Sequence, residues 1–291
     1  MDHSNIINDL LKWIECNLES PLKLNDVATR AGYSKWHLQR IFKSITGQTL
    51  GNYIRARRLT LAALMLRLTN RPLLDIVMHY EFKSQQSFTR AFKIQFGNTP
   101  ASYRNSPNWD FSGMTPSLEL SLYISPIPEY IILPHIKTYG ITLHDSCEFN
   151  TFQSCCQKIR FSAKSLFNKK FGHIQPITYG ICQSKRSKLK ENEIEITYSS
   201  TTIKQFLSPN IYSICEIDIK SGLYVRFPYH GDSKNFQDFI MIIYHYTLPK
   251  MKLIRRNTDD IECYYNVFDH AEECVCDKIH CDYLIPVEKK I

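Results

Sequence analysis

The sequence predicts two domains of unlike class: an all-α amino-terminal domain with two helix-turn-helix units joined by a long helix, then an α+β domain. Three observations carry this. A helical pattern recurs at a fixed offset of 50 residues: Ser34 and Ser84, Leu38 and Phe88, Arg40 and Arg90, Phe42 and Phe92, Lys43 and Lys93, Gly47 and Gly97. Charge divides unevenly: residues 1–110 hold 15 Lys and Arg against 8 Asp and Glu, a net of +7, while the remainder nets +1. Beyond residue 117, runs rich in β-branched and aromatic residues alternate with helical ones.

In chain order, Ile6, Ile7, Leu10, Leu11, Ile14 and Leu18 recur at helical spacing, and Pro21 ends that region. Leu24–Ala31 has a short amphipathic period that Gly32 breaks, and Ser34 is a natural N-cap for the helix that follows. On that helix Leu38, Ile41, Phe42 and Ile45 form one apolar face, and Gly47 stands where a C-terminal glycine belongs. A short helix, a tight turn with glycine and a second, polar-faced helix make a helix-turn-helix. A long helix runs from about Leu50 to Leu68. Pro72 suits the start of another, Leu73–Tyr80, before the repeat of the opening device at 82–93.

The outward faces of the two repeated helices share one chemistry. The first holds Lys35, Trp36, Gln39, Arg40 and Lys43; the second holds Gln85, Gln86, Thr89, Arg90 and Lys93, and neither holds an acid. Gln and Arg read base edges, Lys meets phosphate, and an aromatic ring packs on thymine methyls. Taken alone, the first face fits a surface helix with a half-buried Trp equally well; the repeat and the charge asymmetry shift the balance towards duplex DNA. Arg55, Arg57 and Arg58 on the connecting helix fit either a solvated face or phosphate contacts. Two unlike reading faces in one chain predict an asymmetric site bound by a monomer.

Composition bounds the rest. With 43% hydrophobic and 22% charged residues the chain is globular. No apolar run reaches bilayer length and the first residues lack a signal pattern, so the expected location is cytoplasmic, at the nucleoid, with no membrane partner. Ten cysteines in such a chain read as reduced thiols. Cys274, Cys276 and Cys281, flanked by His270 and His280, lack the spacing of a structural zinc site, so no metal and no cofactor are expected. Neither a nucleophile elbow nor a phosphate-binding glycine loop is present, and no enzymatic activity is expected.

Residues 6–104 resemble the DNA-binding domain of the AraC/XylS family of transcription regulators. The runs Gly32–Arg40, Ile54–Leu59 and Phe82–Arg90 look like the MarA/SoxS/Rob subgroup, and Thr99-Pro100-Ala101-Ser102-Tyr103-Arg104 is similar to the family's closing signature. The resemblance implies base contacts from Trp36, Gln39 and Arg40 in one groove, and from Gln85, Gln86, Ser87 and Arg90 in the next. Whether the second helix enters the groove or lies along the backbone stays open. The resemblance further implies a transcription activator working with RNA polymerase on stress- and antibiotic-resistance genes. The domain order, DNA-binding part first, is that of two-domain members.

Residues 107–117, rich in Pro, Ser, Asn and Gly, read as a linker between domains at 1–106 and 118–291. Strands are expected at 130–133, 179–182, 193–198, 211–216, 222–229 and 283–287, with helices at 149–171 and 236–246. This half resembles, more weakly, a GyrI-like effector-binding domain. The residues concerned are Gly222–Gly231 before a helix and Asp260-Ile261-Glu262-Cys263-Tyr264 on a late strand. The resemblance implies a site for an amphipathic, often cationic, small-molecule effector, with Glu262 inside and Tyr224, Tyr229 and Tyr264 lining it. A surface acid beside core tyrosines is the plainer alternative. Two functions remain open: a ligand-responsive transcription activator, and a DNA-tethered architectural or small-molecule-binding module without ligand-switched transcription.

Overall fold

A computed structural model describes residues 3–118, 126–172, 175–207, 214–265 and 278–288. Seven helices form the amino-terminal part: α1 (His3–Cys16), α2 (Leu24–Arg30), α3 (Lys35–Thr46), α4 (Leu50–Leu68), α5 (Leu73–His79), α6 (Gln85–Phe96) and α7 (Pro100–Asn105). The 50-residue repeat is written in the caps. Ser34 and Ser84 accept hydrogen bonds from the amides of His37 and Ser87, and Thr49 and Thr99 do the same for Asn52 and Ser102. Gly47 and Gly97 close α3 and α6 at φ of 75° and 74°, left-handed values that glycine adopts without strain.

These helices enclose two separate apolar clusters. The first joins α1, α2, α3 and the start of α4 around Ile7, Leu11, Leu38, Phe42 and Tyr53. Ile45, expected on the buried face of α3, is instead exposed. The second lies around the later turns of α4 with α5, α6 and α7, and it does not stop at the domain boundary. Phe88, Phe92 and Tyr103 belong to the same cluster as Val225, Phe227 and Tyr283 of the following domain. Accordingly α4 is buried on most sides, from Leu50 and Tyr53 at its start to Ala62–Leu66 in its later turns, as a helix shared by two cores must be.

The expected linker is the seam of this shared core. Phe111 is fully buried and Met114 nearly so, and a short strand β1 (Trp109–Asp110) pairs with β8 (Ile254–Arg255). Full burial of one such aromatic contributes about 1.5–3 kcal/mol. The Pro, Ser and Gly around these residues gave the segment its linker-like composition. Gln95 of α6 adds a polar clamp, donating to the carbonyls of Ala56 and Gly113.

The second part is one antiparallel sheet. Its strands are β2 (Glu129–Leu133), β3 (Ile136–Glu148), β4 (Ile177–Arg186), β5 (Glu193–Thr202), β6 (Cys215–Ile219), β7 (Gly222–Asp232), β9 (Asp260–Tyr265) and β10 (Lys278–Glu288). The observed order is β6-β3-β5-β4-β9-β10-β7-β2. Read from its centre, the sheet is two β-α-β-β halves meeting where β4 pairs with β9. α8 (Phe152–Phe171) belongs to the first half and α9 (Phe236–Ile242) to the second. After α9 the chain widens into a π-turn at 243–247 and continues as a short helix α10 (Leu248–Met251), so the helix expected at 236–246 is present, with a π-turn inside it and a further turn beyond. The long strand β3 had no counterpart in the expected elements.

Candidate DNA-reading face and effector site

On α3, Lys35, Trp36, Gln39, Arg40 and Lys43 are all exposed, while Leu38, Ile41 and Phe42 point inward. Trp36 keeps 68% of its surface accessible, unusual for so large an aromatic. The Arg40 guanidinium lies 4.7 Å from its ring centroid, a cation–π contact that pre-orders the pair. On α6, Gln85, Gln86, Ser87, Arg90 and Lys93 are exposed and Thr89 is half-buried. The Ser87 hydroxyl donates to the carbonyl of Ser84, so its proton is committed to the helix start.

The connecting helix divides its arginines. Arg55 is exposed and bonds Asn52. Arg57, expected either on a solvated face or at phosphate, is 3% exposed and held by both carboxylate oxygens of Glu15 at 2.9–3.1 Å. Burial alone would lower its pKa; the Glu15 carboxylate outweighs this and raises it. Its remaining nitrogen donates to the carbonyl of Thr115, and Tyr53 also donates to Glu15. Arg58 is half-buried and spends its donors on the carbonyls of Leu18 and Ser20. Arg57 is structural: it falls where α4 faces α1, which helical spacing around a doubly buried helix did not reveal, while Arg58 is anchored to the loop after α1 and keeps part of its side chain at the surface.

In the sheet domain, Glu262 lies on β9 at the junction of the two halves and is fully buried. Its carboxylate accepts from Arg160 of α8 at 2.8 and 3.1 Å, from Tyr198 of β5 at 2.6 Å, and from Tyr264. Gln237 of α9 takes another nitrogen of Arg160 at 2.9 Å. Burial by itself would push the Glu262 carboxyl up, but the Arg160 guanidinium holds it below its ordinary value. Burial, reinforced by Glu262, pushes the Tyr198 and Tyr264 hydroxyls well up, so both remain donors. Gly180, opposite Glu262 in register, leaves room for this cluster: a Cβ there would stand 2.0 Å from the Tyr198 hydroxyl and 2.8 Å from Glu262 Oε2.

Of the expected lining, Tyr264 is present. Tyr224 is not: strand alternation puts it on the opposite face, packed with Ile181, Ile261 and Leu284, its hydroxyl donating to the carbonyl of Lys220. Tyr229 shares the Glu262 face, but its ring packs against Phe236 and Phe239 and its hydroxyl donates to the carbonyl of Asp232. Glu262 is neither a surface acid nor an open one. Cys281 and His280 fall on β10, whereas His270, Cys274 and Cys276 lie outside the described residues. Among the described residues, no group of three or more His, Cys, Asp or Glu is placed to hold a metal ion, and no helix is long and apolar enough to cross a membrane.

A family described as "Helix-turn-helix domain" matches residues 27–106, and one described as "GyrI-like small molecule binding domain" matches residues 129–288. The right origin-binding protein of Escherichia coli (strain K12) is 39% identical over 289 residues, covering 99% of this chain and 100% of that protein. This chain belongs to the AraC/XylS family. It is a DNA-binding transcription regulator whose second domain is GyrI-like. The transcriptional regulator Rob of Salmonella typhimurium, also 39% identical, covers 99% of this chain and 100% of its own length. The regulatory protein SoxS of Escherichia coli (strain K12) is 52% identical over 105 residues, 36% of this chain and 98% of that protein.

Sequence reasoning missed Arg160, Tyr198 and Gln237 in this AraC/XylS chain. One signal was available for the first. Arg160 stands in the apolar row Cys156, Ile159, Ala163 and Phe167 of α8, and an arginine in a buried row needs a buried acid. Tyr198 likewise continues the inward alternation Ile194, Ile196 on β5.

Proposed function

We propose that this chain activates transcription by reading an asymmetric promoter site as a monomer, under control of a small amphipathic effector bound by the sheet domain. Trp36, Gln39 and Arg40 contact bases in one major groove, and Gln85, Gln86, Ser87 and Arg90 face the next. Lys35, Lys43, Arg55, Thr89 and Lys93 meet phosphates. RNA polymerase is the partner recruited, and the cytoplasm, at the nucleoid, is where it acts. The DNA-binding part ends near residue 106 and the effector part begins near 118, with the packed segment between them serving both. Supporting this most directly is the pair α3 and α6: identically capped helices whose exposed faces carry amides and bases and no acid. Glu262, Tyr198, Tyr264 and Phe236 are the centre of the effector site.

The test is Arg40→Ala, titrated on the cognate site, on single-base variants and on scrambled DNA at several salt concentrations. The expected loss is about 1–3 kcal/mol on cognate DNA, with relaxed preference at particular base pairs. Equal weakening on cognate and scrambled DNA would show that α3 is not the reader.

A further inference from the structure

The Glu262 cluster has the composition of an aromatic cage for a cation, and the cage is full. The Arg160 guanidinium lies 5.2 Å from the Phe236 ring centroid and 5.8 Å from that of Tyr198, while Glu262 supplies the counter-charge and Gln237 an acceptor. Two rings, a carboxylate and an amide around one cation are what a quaternary ammonium or guanidinium ligand would require. Here the cation comes from the chain itself. One helical turn on, Lys164 puts its ammonium 3.1 Å from the ring centroid of Tyr264. Burial lowers the pKa of Lys164 to about 8, and Glu262 only partly opposes this. α8 therefore presents two cations to a single acid.

A structural cross-link between α8 and the sheet would need only one arginine and one carboxylate. The observed site has more: aromatic walls on two sides, two tyrosine hydroxyls already on the acid, a glycine that clears room beside it, and a second, half-buried cation. It also sits where the two halves of the sheet meet, under both α8 and α9.

We propose that Arg160 is a resident ligand: it occupies the cation position of the effector site, so a cationic effector binds only by exchanging with it. This rests on the reading of the sheet domain as a small-molecule site and adds what that reading lacks, the residue that sets its charge preference. The exchange is costly for the incoming ion, because a tethered competitor acts at high effective concentration and cannot diffuse away. Wild-type chain thus discriminates against small organic cations, and removing the Arg160 charge makes a cation receptor of the same cage.

The experiment uses the full chain, Arg160→Ala, Arg160→Gln and the double variant Arg160→Ala/Glu262→Gln, with ethylguanidinium and tetramethylammonium as probes. Calorimetric titration should show both ions binding Arg160→Ala at least about tenfold more tightly than wild type, a difference of about 1.4 kcal/mol. In thermal melts, millimolar ethylguanidinium should raise the Tm of Arg160→Ala saturably while leaving wild type and the double variant unchanged. If Arg160→Ala does not fold alone, the same gain is read on Arg160→Gln, which keeps a hydrogen-bonding group beside Glu262 without the charge. Equal affinity in wild type and both single variants, or a gain that survives Glu262→Gln, would overturn the proposal. A wild-type chain that binds no amphipathic molecule of any charge would remove the effector reading of the domain, while the ethylguanidinium rescue still decides the cage.

Discussion

The two helix-turn-helix units share a sequence pattern, the same serine and threonine caps and the same left-handed closing glycine, yet they are held in different ways. The first closes on its own core, Ile7, Leu11, Leu38 and Phe42, with α1 as its lid. The second has no such lid. Its Phe88, Phe92 and Tyr103 continue into Phe111, Phe227 and Tyr283, so the core behind α6 runs through α7 and the seam segment into the sheet domain, where that behind α3 is closed by α1. A duplicated motif therefore needs only something apolar behind it, and the two copies have found different backing. For regulation the difference matters: a change in the sheet domain reaches the second reading helix through the shared core, and reaches the first along α4 and through the seam segment, where Thr115 meets Arg57 and Leu118 meets Tyr53.

The largest expected effects probe that asymmetry. Phe111→Ala should cost about 3–5 kcal/mol in denaturant unfolding, as a fully buried aromatic does. Hydrogen exchange would sharpen the comparison: Phe111→Ala should lower protection in α6 and β10 together, whereas Leu11→Ala should lower it in α1 and α3 alone. Protection falling equally in all four after either change would break it.

Arg57→Ala comes next. It strands Glu15 without its cation between α1, α4 and the Thr115 carbonyl, and removing one partner of a buried pair costs about 3–5 kcal/mol. Because Arg57 faces inward, the salt dependence of DNA binding should keep its slope in molecules that remain folded. A slope lowered by one phosphate contact would restore Arg57 to the DNA face.

The smallest effect is a pH dependence. The pKa of Lys164, lowered to about 8 in the folded chain, stands at 10.5 when unperturbed. Between these values the unfolded chain binds a proton that the folded chain does not, so this group makes stability rise with pH across the window. Lys164→Met should therefore be more stable than wild type near neutral pH, with the gap closing as pH climbs above 8. Paired thermal melts measure it; a constant gap would mean the Lys164 ammonium is not held as described.

Much of this was legible in the sequence because helical units write their limits locally. Ser34, Gly47, Ser84 and Gly97 each act within a few residues, and the 50-residue offset needed no tertiary information. The sheet domain was legible in its strands but not in its pairing. Tyr224 and Glu262 sit on strands separated by β10, and only the register shows that they face opposite ways. Arg57 and Trp109–Met114 were misjudged for a related reason: their polar or linker-like composition hid a burial that depends on a surface contributed from elsewhere in the chain. Arg160 was overlooked because its partner lies 102 residues away.

The central claim is that two unlike faces on one chain read one asymmetric site. Hydroxyl-radical footprinting of the full chain on promoter fragments, with sedimentation of the same complexes, tests it most directly. The expected result is one protein per site and protection over about two successive major-groove turns, without two-fold symmetry. A palindromic footprint occupied by a dimer would contradict it.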